Sequence, residues 1–250
     1  MIDPADTATD LPRLVRVIDY ETTGTPEDDH AEVIEFGKID VDLQTLDILA
    51  PWTSLACPSG PIPPVTMAVH HITDEEAAGA PNQSDLWPVL WAGLGKRDIA
   101  AAHNAKFEQH FHSGDGRDWI CTYKCARVVW PDAPSHSNQA LRYWLGIDKT
   151  HANFQAKLAS PPHRALPDSY VTAHILIELL KVKSAAELVE ISKYPALLKI
   201  LTFGKHRGTN YQDAPADYLD WILYKSDLDE DTKFTAKYWL QRLQNTGGGQ

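Results

Sequence analysis

The chain has 250 residues, 43% of them hydrophobic, which is enough for one sizeable core or a core with a small satellite unit. A formal net charge of −11 argues against a basic coat for long nucleic acids, although a short, locally basic cleft is compatible with it. Cys57, Cys121 and Cys125 build no disulfide framework, and one CxxxC without a second pair is a poor zinc signal, so all three read as reduced thiols of an intracellular protein.

The opening MIDPADTATD is acidic, lacks an apolar h-region and reads, through residue 12, as a flexible leader. No run is long enough to span a bilayer, so the expectation is a cytoplasmic protein without a membrane partner. Residues 13–20 form a first strand. AEVIEFGKIDVD, from Ala31, alternates as a second, and LDILAPWTSLA supplies a third; the short gaps imply antiparallel neighbours. PSGPIPPVTMAVHHITDEEA is a Pro-rich loop with one helical turn, and SDLWPVLWAGLG an amphipathic helix ended by Gly95. Two strand–helix units follow, DIAAAH with NAKFEQHF and WICT with YKCARVVW. SNQALRYWLG is a helix stopped by Gly146, and DSYVTAHILIELLKV, after Pro167, a long amphipathic one. Three strands followed by strand–helix units predict an α/β fold with a mixed sheet. A change of pattern near residues 182–202, where SAAELVEIS reads as a short helix, divides the chain: a main domain over 13–185, a linker over 186–196, a small domain over 197–243 with a GKHRG turn and two helical patterns, and a disordered tail over 244–250.

Side chains alternate along a strand, so Asp19 and Glu21 leave the first strand on one face, where two like charges repel. Glu108 lies about one turn into a helix for which Asn104 is a good N-cap. Asp168 opens the long helix, and His163 stands five residues before it. Singly, each has a bland reading: a solvated strand exit, early-helix acids favoured by the helix dipole, a surface histidine. In order, VIDYETTG, AEVIEFGKID, IPPVTMAVHHITDE, AAHNAKFEQHF and HRALPDSY resemble the DEDDh family of 3′→5′ exonucleases, which includes the proofreading subunit of bacterial DNA polymerase III. The HxxxxD spacing of the last segment carries the "h" of that name. WICTYKCARVVWPDAPSHSNQAL and TFGKHRGTNYQDAPADYLDWIL extend the resemblance over nearly the whole chain.

The resemblance implies a ribonuclease H-like fold with a five-stranded sheet and hydrolysis of phosphodiester bonds at DNA 3′ ends by two Mg²⁺ or Mn²⁺ ions about 3.5–4 Å apart. Hard cations take oxygen ligands, so metal turns the Asp19–Glu21 repulsion into attraction. On the family's pattern Asp19 bridges both ions, Glu21 and Asp168 complete the site of the ion that carries the attacking water, and Glu108 holds the second, partly through water. His163 is the general base. The family usually has Asp where this chain has Glu108, and many relatives have Leu where it has Thr25. Thr22, His103 and Asn104 line the pocket for the terminal nucleotide by resemblance, with a structural cap the alternative for Asn104. His70 and His71 read as packing and loop hydrogen bonds, and His110 and His112 have no metal partners in view. GKHRG lacks the Walker pattern. Lys106, Lys124, Arg127, Arg142 and Arg164 lie near the motifs as candidate phosphate contacts, and Lys205, His206 and Arg207 form a basic turn near Tyr211 and Trp221. Trp221 reads as core of the small unit, while Arg207 is a candidate substrate contact. The alternatives are a 3′→5′ exoribonuclease or oligoribonuclease on the same chemistry, or a non-catalytic nucleic-acid or subunit-binding module, against which the intact acids and His163 argue.

Overall fold

The run from Leu14 carries apolar side chains on both faces, with Arg16 its one charge before Asp19, and it becomes the middle of a sheet buried on both sides. A computed structural model describes residues 11–247, with side chains through residue 244. The expected leader, apart from residues 11 and 12, and the last three residues of the expected tail lie outside the described residues. Strands β1 (Leu14–Thr22), β2 (Val33–Asp42) and β3 (Ile48–Leu55) form the antiparallel meander that the short gaps imply. β4 (Ile99–Ala102) and β5 (Trp119–Cys121) add parallel to β1, giving the order β3-β2-β1-β4-β5.

Helices cover the two faces. Val15 and Val17 pack with residues of α5 (Thr122–Val129), α6 (Asn138–Trp144) and α8 (Ala165–Leu180), with the short α7 (Ile147–Thr150) alongside. Ile18 and Tyr20 pack with α3 (Gln83–Trp91) and the start of α4 (Ala105–Phe111). The odd residues of β1 therefore face α8, and Asp19 and Glu21 inherit that face. Arg16, on the other face, is buried and forked onto Asp40 at 2.7 and 2.8 Å.

Several boundaries differ from expectation. The Pro-rich loop holds two short helices, α1 (Pro64–His70) and α2 (Asp74–Ala77); Pro64 occupies a first-turn position, where its missing N–H costs no helical bond. The amphipathic helix ends at Trp91, ahead of Gly95. α8 begins at Ala165, before Pro167, because the first-turn N–H groups have no intrahelical partner and proline is tolerated there. α9 (Ala185–Lys193) is no linker: Leu188 and Val189 belong to the main core, and the helix packs on β5 and α5. Cys121 and Cys125 are free and buried, and burial pushes the Cys125 thiol up to about 12.

The C-terminal unit consists of a bridge between Ile200 and Asn210, a 3₁₀ turn (Tyr211–Asp213), α10 (Ala216–Lys225) and α11 (Glu230–Gly247). It has its own core of Leu201, Tyr211, Leu219, Ile222 and Ala236. α11 runs to Gly247, past the start of the expected tail at 244. Trp221 is not core: it is 42% exposed and stacks on Tyr218 at 5.5 Å. The unit is stapled to α5 through buried Arg127, which donates to Asp229 Oδ1 at 2.8 Å and to Thr232 Oγ1 at 2.9 Å.

Candidate active site

The site forms where β1 leaves the core. Asp19 pairs across the hairpin with Gly37, and Glu21 with Glu35. A Cβ on Gly37 would sit 2.2 Å from the Ala165 carbonyl carbon, so only glycine lets the start of α8 cross β2 here. That crossing brings Asp168 to the exit of β1. One carboxylate oxygen from each of Asp19, Glu21 and Asp168 lies within 4.8 Å of the other two. Glu108, in the first turn of α4, stands outside this trio but on the same cavity wall; it is buried, and its Oε2 has no hydrogen-bond partner among the described residues. The cavity, about 270 Å³, is lined by Asp19, Glu21, Glu108, Asp168, His163, His103 and Asn104 together with Tyr20, Phe107 and Asn138.

The electrostatics follow from crowding like charges in a dry place. Burial, reinforced by Asp168, Glu21, Glu108 and Glu35, holds the Asp19 carboxyl well above the usual carboxylate range. Burial and the charges of Asp168 and Glu35 push Glu21 up to about 8, against a lowering by Arg164. Glu108 is pushed up to about 8, mainly by burial. Burial also raises Asp168, although donors on both of its oxygens oppose this: the His163 backbone N–H to Oδ2 at 2.8 Å and Gln139 Nε2 to Oδ1 at 3.1 Å. Adjacent hard oxygen donors, one orphaned buried carboxylate oxygen and acids that resist ionising alone are what a divalent-cation site requires. His163 lines the cavity from an exposed left-handed backbone position at φ 60°.

Glu35 went unmarked in the sequence. It is buried, takes a bidentate ion pair from Arg164 at 2.9 and 2.7 Å, and accepts the Ala165 N–H at 2.9 Å. It thereby caps α8 and fixes the segment that carries His163. The register opposite Glu21 was the signal that could have found it.

The expected substrate contacts divide. Asn104 makes no capping hydrogen bond and is exposed at the cavity, so its cap role is not realised. His103 lines the cavity, but both ring nitrogens are engaged: Nε2 faces the His136 carbonyl at 2.9 Å and therefore carries the proton, which leaves Nδ1 to accept from the Thr122 hydroxyl at 3.0 Å. Burial pushes its pKa down to about 4, so the ring is neutral. The Thr22 hydroxyl donates to the Gly24 carbonyl at 2.6 Å, and Thr22 is not among the cavity's lining residues. Arg207 also stands outside that lining; it donates to the Pro134 carbonyl at 3.1 Å, on the loop whose His136 holds His103. A Cβ on Gly204 would meet Tyr218 Oη at 2.2 Å, so this glycine serves the packing of the basic turn. Most of the candidate phosphate-binding cations are already paired: Lys124 with Asp231, Arg127 with Asp229, Arg142 with Asp148 and Arg164 with Glu35. Lys106 is 88% exposed, 3.9 Å from Glu230. His70 is buried and accepts the Ile72 N–H at 3.0 Å, and His112 stacks on Trp87, as packing roles require.

A mixed five-stranded sheet whose first strand and two helices bring four acids to one cavity, with a histidine from the loop before the second helix, defines a ribonuclease H-like exonuclease fold of the DEDDh kind. Residues 17–176 match the RNase_T exonuclease family, and the chain belongs to it. It is 32% identical over 236 residues to Exodeoxyribonuclease 10 of Escherichia coli (strain K12), an alignment covering 91% of this chain and 99% of that protein. Among solved structures it is similar to Exonuclease X in complex with 5′ overhanging duplex DNA, at 32% identity and a TM-score of 0.59, over 71% of this chain and 99% of that one. The nuclease domain of 3′hExo, a DEDDh family member bound to rAMP, shares the fold at 18% identity and a TM-score of 0.55, over 70% of this chain and 95% of that one. Among the described residues no helix is long and apolar enough to cross a membrane.

Proposed function

We propose that the chain is a divalent-metal-dependent 3′→5′ exodeoxyribonuclease that releases nucleoside 5′-monophosphates from DNA 3′ ends. The observation that carries this reading is the convergence of Asp19, Glu21 and Asp168 within 4.8 Å on a cavity that also holds Glu108 and His163. Asp19, Glu21 and Asp168 would hold Mg²⁺ or Mn²⁺, and Glu108, on the same cavity wall, would add a further carboxylate to that cation site. Bound there, such ions neutralise charge developing on the phosphoryl oxygens and make a water acidic enough to attack at neutral pH.

The residues supply the rest. An imidazole nitrogen of His163 takes the proton of the attacking water, the P–O3′ bond breaks, and the leaving 3′ oxygen is protonated from solvent. Glu35 and Arg164 hold His163 in reach by fixing the start of α8. Exposed Asn104 meets the terminal nucleotide, half-buried Phe107 offers its base an apolar wall, and His103, saturated by Thr122 and His136, shapes that wall without donating to substrate. DNA as substrate is supported by the 32% identity to a protein named an exodeoxyribonuclease over nearly its whole length. The C-terminal unit, with Lys205 and Arg207 in its turn, helps hold the strand and takes no part in bond cleavage.

The test is digestion of DNA and RNA labelled at the 5′ end, with Mg²⁺, with Mn²⁺ and with chelator. One-nucleotide shortening of DNA from the 3′ end with release of 5′-monophosphates is expected. Degradation of RNA alone would reassign the substrate, and degradation of neither would leave only the binding-module alternative.

A further inference from the structure

We infer that Gln139 and Arg142 form a positioning relay that sets the carboxylate of Asp168 for cation binding; the inference rests on the metal reading above. Gln139 Nε2 donates to Asp168 Oδ1 at 3.1 Å, while Gln139 Oε1 accepts from Arg142 Nη1 at 3.2 Å. Arg142 is buried and held from several sides. It forks onto Asp148 at 2.7 and 2.8 Å, its Nη1 also donates to the Ala159 carbonyl at 3.1 Å, and its guanidinium carbon lies 5.0 Å from the centre of the Phe154 ring.

A guanidinium only donates and an ionised carboxylate only accepts. The two ends of the relay therefore dictate the sense of the amide between them: oxygen toward Arg142, NH₂ toward Asp168. The other oxygen of Asp168 is held by the His163 N–H at 2.8 Å. One donor on each oxygen fixes the plane of the carboxylate and still leaves each oxygen lone-pair capacity for a cation. The preceding residue does the same for the backbone: Asn138 Nδ2 donates to the Asp168 carbonyl at 3.2 Å and to Thr172 Oγ1 at 2.6 Å. Packing α6 on α8 needs apolar side chains only. Two amides and a locked arginine arranged donor to acceptor toward one residue are what an outer shell around a metal ligand requires.

The test uses Gln139→Glu and Gln139→Leu in the full chain. Glu keeps the length and the acceptor facing Arg142 but replaces the donor facing Asp168 with an acceptor; Leu removes both. Mn²⁺ binding is read by electron paramagnetic resonance without DNA, with melting curves alongside, and the metal concentration for half-maximal exonuclease rate is measured afterwards. The relay predicts Mn²⁺ affinity weakened on the order of tenfold in both variants and a half-maximal metal concentration that rises more than KM for DNA, while the carboxylate that Gln139→Glu adds beside Asp168 lowers the metal-free melting temperature of a chain that still folds. The Glu variant keeps the packing, so it carries the test even where the Leu variant fails to fold. Mn²⁺ binding equal to or tighter than wild type overturns the relay; a wild-type chain that binds no Mn²⁺ overturns the metal reading and the relay with it.

Discussion

Replacing Asp19 with Asn removes one charge from the crowded trio and changes the shape of the side chain hardly at all. One oxygen from each acid of the trio lies within 4.8 Å of the others, and two unit charges at that distance repel by about 3.5 kcal/mol at an effective dielectric of about 20. Independently, a Glu21 carboxyl raised from 4.5 to about 8 represents on the order of 5 kcal/mol of cost when ionised. The sign follows from proton binding. A carboxyl whose folded pKa lies above its unfolded value adds stability at low pH, and that stability is lost as pH rises from the unfolded value through the folded one, here from 4.5 to about 8 for Glu21. Metal-free wild type should therefore be weaker at pH 9 than at pH 5 on account of these groups. Asp19→Asn should regain on the order of 2–3 kcal/mol at pH 9, roughly 5–10 °C in melting temperature for a chain of this size, and almost nothing at pH 5. The assay is thermal unfolding in chelator at both pH values, with exonuclease activity measured in parallel and expected to vanish. A variant that melts lower than wild type at pH 9, or whose gain is the same at both pH values, would refute the account of the trio as mutually repelling ligands.

Other outcomes follow from single contacts. Glu108→Asp shortens the reach by about 1.5 Å and should keep activity within about tenfold, because this acid stands outside the tight trio; complete loss on steady-state assay would make Glu108 a direct ligand to which the backbone has adapted. Gly37→Ala places a methyl against the Ala165 backbone and should lower stability by about 2 kcal/mol or more, with activity falling as Asp168 is pushed away, both read from melting curves and kcat. Arg127→Ala leaves Asp229 without its cation and Asp231 with Lys124 alone, so the C-terminal unit should become susceptible to limited proteolysis, and KM for DNA should rise while kcat stays near wild type.

The acids on β1 were legible because a strand alternates whatever surrounds it, and the order of the later motifs carried Glu108, His163 and Asp168. What stayed hidden depends on contacts between distant parts of the chain. Glu35 acquires meaning only from a hairpin register that sets it opposite Glu21 and from Arg164, which is remote in sequence. Arg127, Lys124, Arg142 and Arg164 looked like phosphate ligands because lysine and arginine near a motif look the same free or paired, and their partners come from other elements. SAAELVEIS reads as a short helix within an expected linker, and what the sequence hides is that Leu188 and Val189 bury α9 on the main core. Helices α1 and α8 are hidden by Pro64 and Pro167, because proline reads as a breaker although in the first turn it costs no hydrogen bond, whereas α2 is a single four-residue turn capped by Thr73.

The central claim is that the carboxylates at the exit of β1 hold the cations that drive hydrolysis. Crystals grown with MnCl₂ and measured at the manganese absorption edge test it directly. The account predicts an anomalous peak among Asp19, Glu21 and Asp168, a second on the Asp19 and Glu108 side of the cavity, and loss of both in Asp19→Asn. A protein that degrades DNA in the same buffer but shows no anomalous density in this cavity would contradict it.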